Sequence, residues 1–169
     1  MNAADIGMLR LQDAWRQACR HVHHMLHALR AVQSVLPLDA GRYTALDDEQ
    51  VQDFDQFILR FSKLQDVIDA QLYPALLEFL QEPYSTRPML DKLHRLEQLG
   101  YLGSVEDWQV LREVRNRFTH DYPDDAERNA ASLNVATSAA VDLHACLARV
   151  GQQLAVDQPG LSLEPLEAF

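Results

Sequence analysis

The sequence predicts an all-α fold, an antiparallel bundle of four main helices plus a short helix. Three observations lead there. Apolar residues recur every three or four positions through long stretches of the chain. Gly and Pro are few, 6 and 7 of 169 residues, and fall between those stretches. Nowhere does the two-residue alternation of a half-buried strand last long enough to build a sheet.

The first segment, about 5–36, sets Met8, Leu11, Trp15, Ala18, Val22, Met25, Leu29, Val32 and Leu36 on one helical face. Pro37 and a loop through Gly41 close it. Asp47 opens a second long helix with Val51, Phe54, Ile58, Phe61, Leu64, Ile68 and Leu72 on one side. Pro74 should kink or split that helix, because proline removes a donor and meets the previous turn; the run ends near Leu80. A short helix, about 88–99, stops at Gly100. Ser104 with Asp107 resembles a capping box and opens a helix from Val105 towards Tyr122. Asp124 or Asp125 caps the last helix, which runs to about Leu154. The expected organisation is a single helical domain over 1–154, with 5–36 as an N-terminal helical extension and an irregular tail over 155–169.

Hydrophobic residues make up 47% of the chain and charged residues 24%, as in a soluble globular protein. No apolar run is long enough to cross a bilayer, so no membrane partner is expected. The opening residues, MNAADIGMLRLQDAWRQ, lack the basic-then-apolar pattern of a secretory signal. Two cysteines, Cys19 and Cys146, lie far apart in no metal-type spacing. They point to a reducing, cytoplasmic setting with both thiols as packing groups. The formal charge of -10 argues against general nucleic-acid affinity but leaves room for a local basic site. Arg112, Arg115 and Arg117, against the one acid Glu113, form the most basic segment.

That segment continues into REVRNRFTHDYPDD, residues 112–125. On a helical wheel with Arg115 at zero, Val110, Val114, Phe118 and Leu111 occupy roughly -140° to -40°. Tyr122, Arg115, Thr119, Arg112, Asn116 and His120 fill the next arc, from about -20° to 140°. Asn116 and His120 are an i,i+4 pair, and Pro123 ends the helix around His120 to Tyr122. A histidine in a last turn feels the negative end of the helix dipole, which favours its protonated form. Arg115 offers a planar fork of donors suited to a phosphate. Arginine plus histidine, with no carboxylate cluster nearby in sequence, points to metal-free chemistry at a phosphodiester. On RNA the adjacent 2′-hydroxyl serves as nucleophile once a base takes its proton. The same groups also satisfy free carbonyls at an ordinary helix end.

The run RNRFTHDY, Arg115 to Tyr122, resembles the signature of HEPN domains: an Arg, a polar residue directly after it, and a His four to six residues on. The His-x-Tyr extension resembles the subgroup encoded beside minimal nucleotidyltransferases in prokaryotic toxin–antitoxin pairs. LREVRNRFTHDYPDD near a helix end, with LDDEQVQDFDQFILRFSKLQD as an earlier core helix, extends the likeness over about 45–150. The resemblance implies a HEPN-like bundle acting as a homodimer and cleaving RNA as a metal-independent endoribonuclease without a cofactor. Arg115 and His120 would be catalytic, with Asn116 supporting them. Arg112, Arg117 and Thr119 would support RNA binding. Tyr122 would accept AMP from the nucleotidyltransferase antitoxin, silencing the toxin. The alternatives are an inactive helical module, substrate-binding or nucleotide-binding, that serves a nucleotidyltransferase, and a purely structural bundle.

HVHHMLH, residues 21–27, holds four histidines, of which His23 and His27 are one turn apart. No acid or cysteine lies beside them in sequence, so no metal is assigned to them. Trp15 and Trp108 read as core or interface residues, and Tyr43, Tyr73, Tyr84 and Tyr101 receive no function.

Overall fold

Asn2 starts the first rod: its side chain accepts from the Asp5 amide while Asp5 accepts from the Asn2 amide, both at 2.9 Å. This reciprocal cap satisfies two amides that a helix N-terminus leaves free. The computed structural model describes residues 2–118 and 124–169. Helix α1 runs Ala3–Val32 and tightens into a 3₁₀ turn, Gln33–Val35. A short helix absent from the sequence reading, α2 (Ala40–Thr44), sits where a plain loop is expected and is capped by Asp39. Asp47 caps α3 (Asp48–Val67) through a second reciprocal box with Gln50. A π-helical turn, Ile68–Leu72, joins α3 to α4 (Tyr73–Phe79), whose first turn holds Pro74. Pro74 thus splits the rod without ending it, since the widened turn makes room for a ring that would meet the carbonyl four residues back.

Helix α5 (Met89–Gln98) is the short one, stopped at Gly100, whose φ of 86° suits a residue without Cβ. Ser104 caps α6 (Val105–Arg117) by accepting from the Asp107 amide at 3.1 Å. Asp125 caps α7 (Ala126–Asp157), which extends three residues beyond the expected Leu154. No strand occurs among the described residues. The protein is an all-α antiparallel bundle of four main rods, α1, α3–α4, α6 and α7, with α5 as the short helix.

Cross-links fix the direction of each rod. Arg10 meets Glu78 and His21 meets Arg60, so α1 and α3–α4 are antiparallel. Arg115 meets Asp66 while Trp108 meets Asp69, so α6 reverses again. Tyr101, just before α6, meets Asp157 at the far end of α7. The core draws on every rod: Leu11, Val22 and Met25; Phe57, Phe61 and Leu64; Trp108 and Leu111; Leu143 and Leu147. A smaller cluster of Val32, Leu38, Phe54, Ala130 and Leu133 lies beside α2. Three residues assigned to apolar faces lie outside the core clusters, Met8, Val51 and Val110, the last two exposed.

The tail after Asp157 has no regular structure, yet it is docked. Gln12 donates to the Ser162 carbonyl, Trp15 to the Glu164 carbonyl at 2.7 Å, and Arg30 to the Ala168 carbonyl. His144 of α7 meets the Glu167 carbonyl, so the tail lies along both α1 and α7. Both cysteines are free, and burial pushes each thiol up to about 11, as packing groups rather than nucleophiles. No described helix is long and apolar enough to cross a membrane.

Candidate functional site

Among the described residues helix α6 runs to Arg117, and Phe118 caps it by donating to the carbonyls of Arg115 and Asn116; the expected end at His120 to Tyr122 lies outside the described residues. Thr119, His120 and Tyr122 lie outside the described residues, and with them the proposed Asn116–His120 pairing. Arg112, Arg115, Asn116 and Arg117 are placed.

Their placement corrects the wheel. The buried residues of α6 are Val105, Trp108, Leu111 and Val114, whereas Val110 is 53% exposed. The core-facing arc is therefore rotated from the expected one, because Trp108 outweighs Val110 in apolar area. Arg115 lies two turns after Trp108 on the same side. It faces α3 rather than projecting from an open polar strip, and it is half-buried.

Two carboxylates of the second rod receive that face. Asp66 accepts from Arg115 Nε at 3.1 Å and from Nη2 at 3.0 Å, a bidentate pair. Asp69, one turn on, accepts from Trp108 Nε1 at 3.1 Å and lies 3.6 Å from Arg112 Nε. Arg112 also donates to Gln109. So carboxylates absent near Arg115 in sequence are supplied by the fold. The signal was present as D-x-x-D in α3 and its continuation, matched to the 4,3 spacing of Trp108, Arg112 and Arg115 on α6. Only knowledge of which helices pair could have joined the two patterns. Among the described residues no group of three or more His, Cys, Asp or Glu is placed to hold a metal ion.

The bidentate pair uses two of the three guanidinium nitrogens. Nη1 of Arg115 has no hydrogen bond among the described residues, and the side chain lines a shallow cavity of about 300 Å³ with Asp55, Ile58, Leu59, Ser62 and Phe118. Phe118 also borders a second cavity of about 470 Å³, lined by Arg117, Tyr43, Phe54 and Asn129. Asn116 and Arg117 are exposed. Chemically, Asp66 fixes the plane of a permanent cation and leaves one edge for an oxyanion at an open mouth.

The histidines of α1 also find partners the sequence did not suggest. Glu167, from the tail, accepts from Arg30 and meets His23 Nδ1, both at 2.9 Å. His21 Nδ1 lies 3.1 Å from Arg60 Nη1. Comparison with protein-family models, with curated proteins and with solved structures finds no match for this chain.

Proposed function

We propose that the protein is a HEPN-type toxin: a metal-independent endoribonuclease, acting as a homodimer and paired with a minimal nucleotidyltransferase antitoxin. The observation that supports this reading is Arg115, clamped by Asp66 through Nε and Nη2 and lining an open cavity, at the head of the RNRFTHDY run. In this reaction a base takes the proton of an RNA 2′-hydroxyl, and the freed oxygen attacks the neighbouring phosphorus. The bond to the 5′-oxygen breaks, and that oxygen leaves with a proton from an acid. The products are a 2′,3′-cyclic phosphate and a 5′-hydroxyl. His120 and the same imidazole of a second copy divide the base and acid roles. Arg115 stabilises the charge that builds on the phosphoryl oxygens, Asn116 orients His120, and Arg112, Arg117 and Thr119 hold the strand. Transfer of AMP to Tyr122 places a phosphate beside Arg115 and silences the site.

An RNA cleavage assay tests this. His120→Ala and Arg115→Gln should each lower cleavage by about 10²-fold or more, the usual worth of a positioned acid–base or charge-stabilising group. Unchanged cleavage in His120→Ala overturns the reading. Incubation with a minimal nucleotidyltransferase and ATP should add the mass of AMP to the wild type but not to Tyr122→Phe. The hold of Asp66 on Arg115 favours one second reading, a non-catalytic module that presents this face to the nucleotidyltransferase. Complex formation without RNA cleavage by the wild type selects it.

A further inference from the structure

We propose that Arg20, Arg60 and Lys63, with His21 and His24 between them, form a phosphate-binding strip across α1 and α3 that guides single-stranded RNA to Arg115; the identity of the ligand rests on the nuclease reading above. Among the described residues eight arginines, Arg10, Arg16, Arg30, Arg87, Arg95, Arg112, Arg115 and Arg128, have carboxylate partners within ion-pair distance. Arg20, Arg60 and Lys63 have none among the described residues, in a chain of net charge -10. An acidic protein that leaves three fixed cations together without counter-charges holds them against their mutual repulsion.

The geometry brings them to one surface. Arg60 donates from Nη1 to His21 Nδ1 at 3.1 Å, so that imidazole accepts through its lone pair and stays neutral there. Arg20 and His24 flank His21 on α1, one turn apart. Burial first, and then the charges of Arg60, Lys63 and Arg20, oppose protonation of His21; burial and then Arg60, with Arg20 a smaller contributor, act likewise on His24. Arg60 Nε is buried without a hydrogen-bond partner among the described residues. Arg20 and Lys63 are exposed, and Arg60, His21 and His24 half-buried.

The strip also has a direction. Lys63 precedes Asp66 by three residues on α3, so the two are neighbours on one face. Asp66 holds Arg115. From Arg60 to Asp66 the helix advances ~9 Å, and exposed Leu59, which lines the Arg115 cavity, lies one turn before Lys63 on that face. A strand crossing α3 thus meets Arg20 and Arg60, then Lys63, then the open edge of Arg115, on the order of one phosphate per fixed cation.

The test measures binding of a short oligouridylate to the full chain by fluorescence anisotropy, from 50 to 200 mM salt, in a His120→Ala background. Arg20→Gln with Lys63→Gln should weaken binding about 10-fold and reduce the salt slope by about 1.4, the value for two lost phosphate contacts on a single strand. Arg87→Gln with Lys92→Gln, which removes equal charge outside the strip, should change affinity less than about twofold, as expected for screened charges away from the contact. Equal weakening by both pairs, no weakening by either, or no binding of the oligouridylate overturns the strip. Its failure leaves wild-type cleavage untouched. Strip-dependent binding by a wild-type protein that does not cut RNA overturns the nuclease and leaves the strip standing.

Discussion

Towards the core, the rod α3–α4 contributes Phe57, Phe61, Leu64 and Ile68 to a cluster shared with Ala18, Val22, Met25 and Leu26. On its α6 side it offers Asp66 and Asp69 to Arg115, Trp108 and Arg112. The two seams differ in physics. Carbon surfaces stabilise in proportion to area and tolerate small slips. A bidentate carboxylate–guanidinium pair adds little net stability at a partly wet site, but it fixes one orientation. The contrast places stability in the first seam and directional chemistry in the second, so a cation is held still where the fold can spare it.

Substitutions on the two sides should therefore separate. Phe61 is fully buried and meets the ring of Phe118 edge-on at 6.2 Å. Phe61→Ala should cost ~3–5 kcal/mol of unfolding free energy in urea denaturation. Arg115→Gln should cost no more than about 1 kcal/mol, because its partner Asp66 is half-exposed at 52%. A loss in Arg115→Gln as large as that in Phe61→Ala would make the polar seam structural and break the comparison. Asp66→Asn sharpens it: stability should move by under ~1 kcal/mol, while affinity for an RNA phosphate rises as Arg115 is released from its counter-charge.

The apolar seam was legible in the sequence because it follows from spacing along one helix: Phe54, Phe61 and Leu64 recur at helical intervals and are buried. Caps at Asp47 and Ser104 were legible for the same reason, and the last cap narrowed to Asp124 or Asp125, of which the structure uses Asp125, since each acts within three residues. What joins distant segments was not. Asp66 and Asp69 are three residues apart and acidic, which alone describes a solvated face; their meaning depends on α6 lying across them. The rotation of α6 that exposes Val110 follows from Trp108, a large ring upstream of the Val110–Tyr122 arc that draws the core face round to itself. The docked tail was hidden differently, because its links to α1 and α7 run largely through carbonyls, which no side-chain pattern records.

The tail repeats the contrast on a smaller scale, which allows finer tests. A methyl group at Gly151 would lie 2.7 Å from Trp15 Cη2, closer than real contacts permit. Gly151→Ala should cost ~1–3 kcal/mol by overpacking, and less in a Trp15→Phe background, since the smaller ring gives way; additive costs would show that the two do not share the contact. Trp15→Phe alone removes the 2.7 Å hydrogen bond to the Glu164 carbonyl. It should cost ~1 kcal/mol and speed proteolysis within 158–169. If the tail is cleaved no faster, its docking does not depend on that bond.

The smallest effect belongs to the charged end of the tail, and its sign can be fixed in advance. Hydrogen bonds from Arg30 and then His23 hold the Glu167 carboxyl below its usual value of 4.5. The docked state therefore binds a proton less readily than the free tail. Its contribution is whole above about pH 4.5 and is lost as pH falls through the lowered, docked value. Tail docking, followed by Trp15 fluorescence, should weaken over that acid range in the wild type. In Glu167→Gln the weakening should be shallower, because the neutral amide has no proton to gain. An identical acid profile in the two proteins would assign the transition to another carboxylate. The link from Trp15 to the Glu164 carbonyl should survive acid, since a carbonyl does not titrate there. The comparison between seams thus extends to pH: contacts through carbon and backbone hold, and contacts through ionised side chains release first.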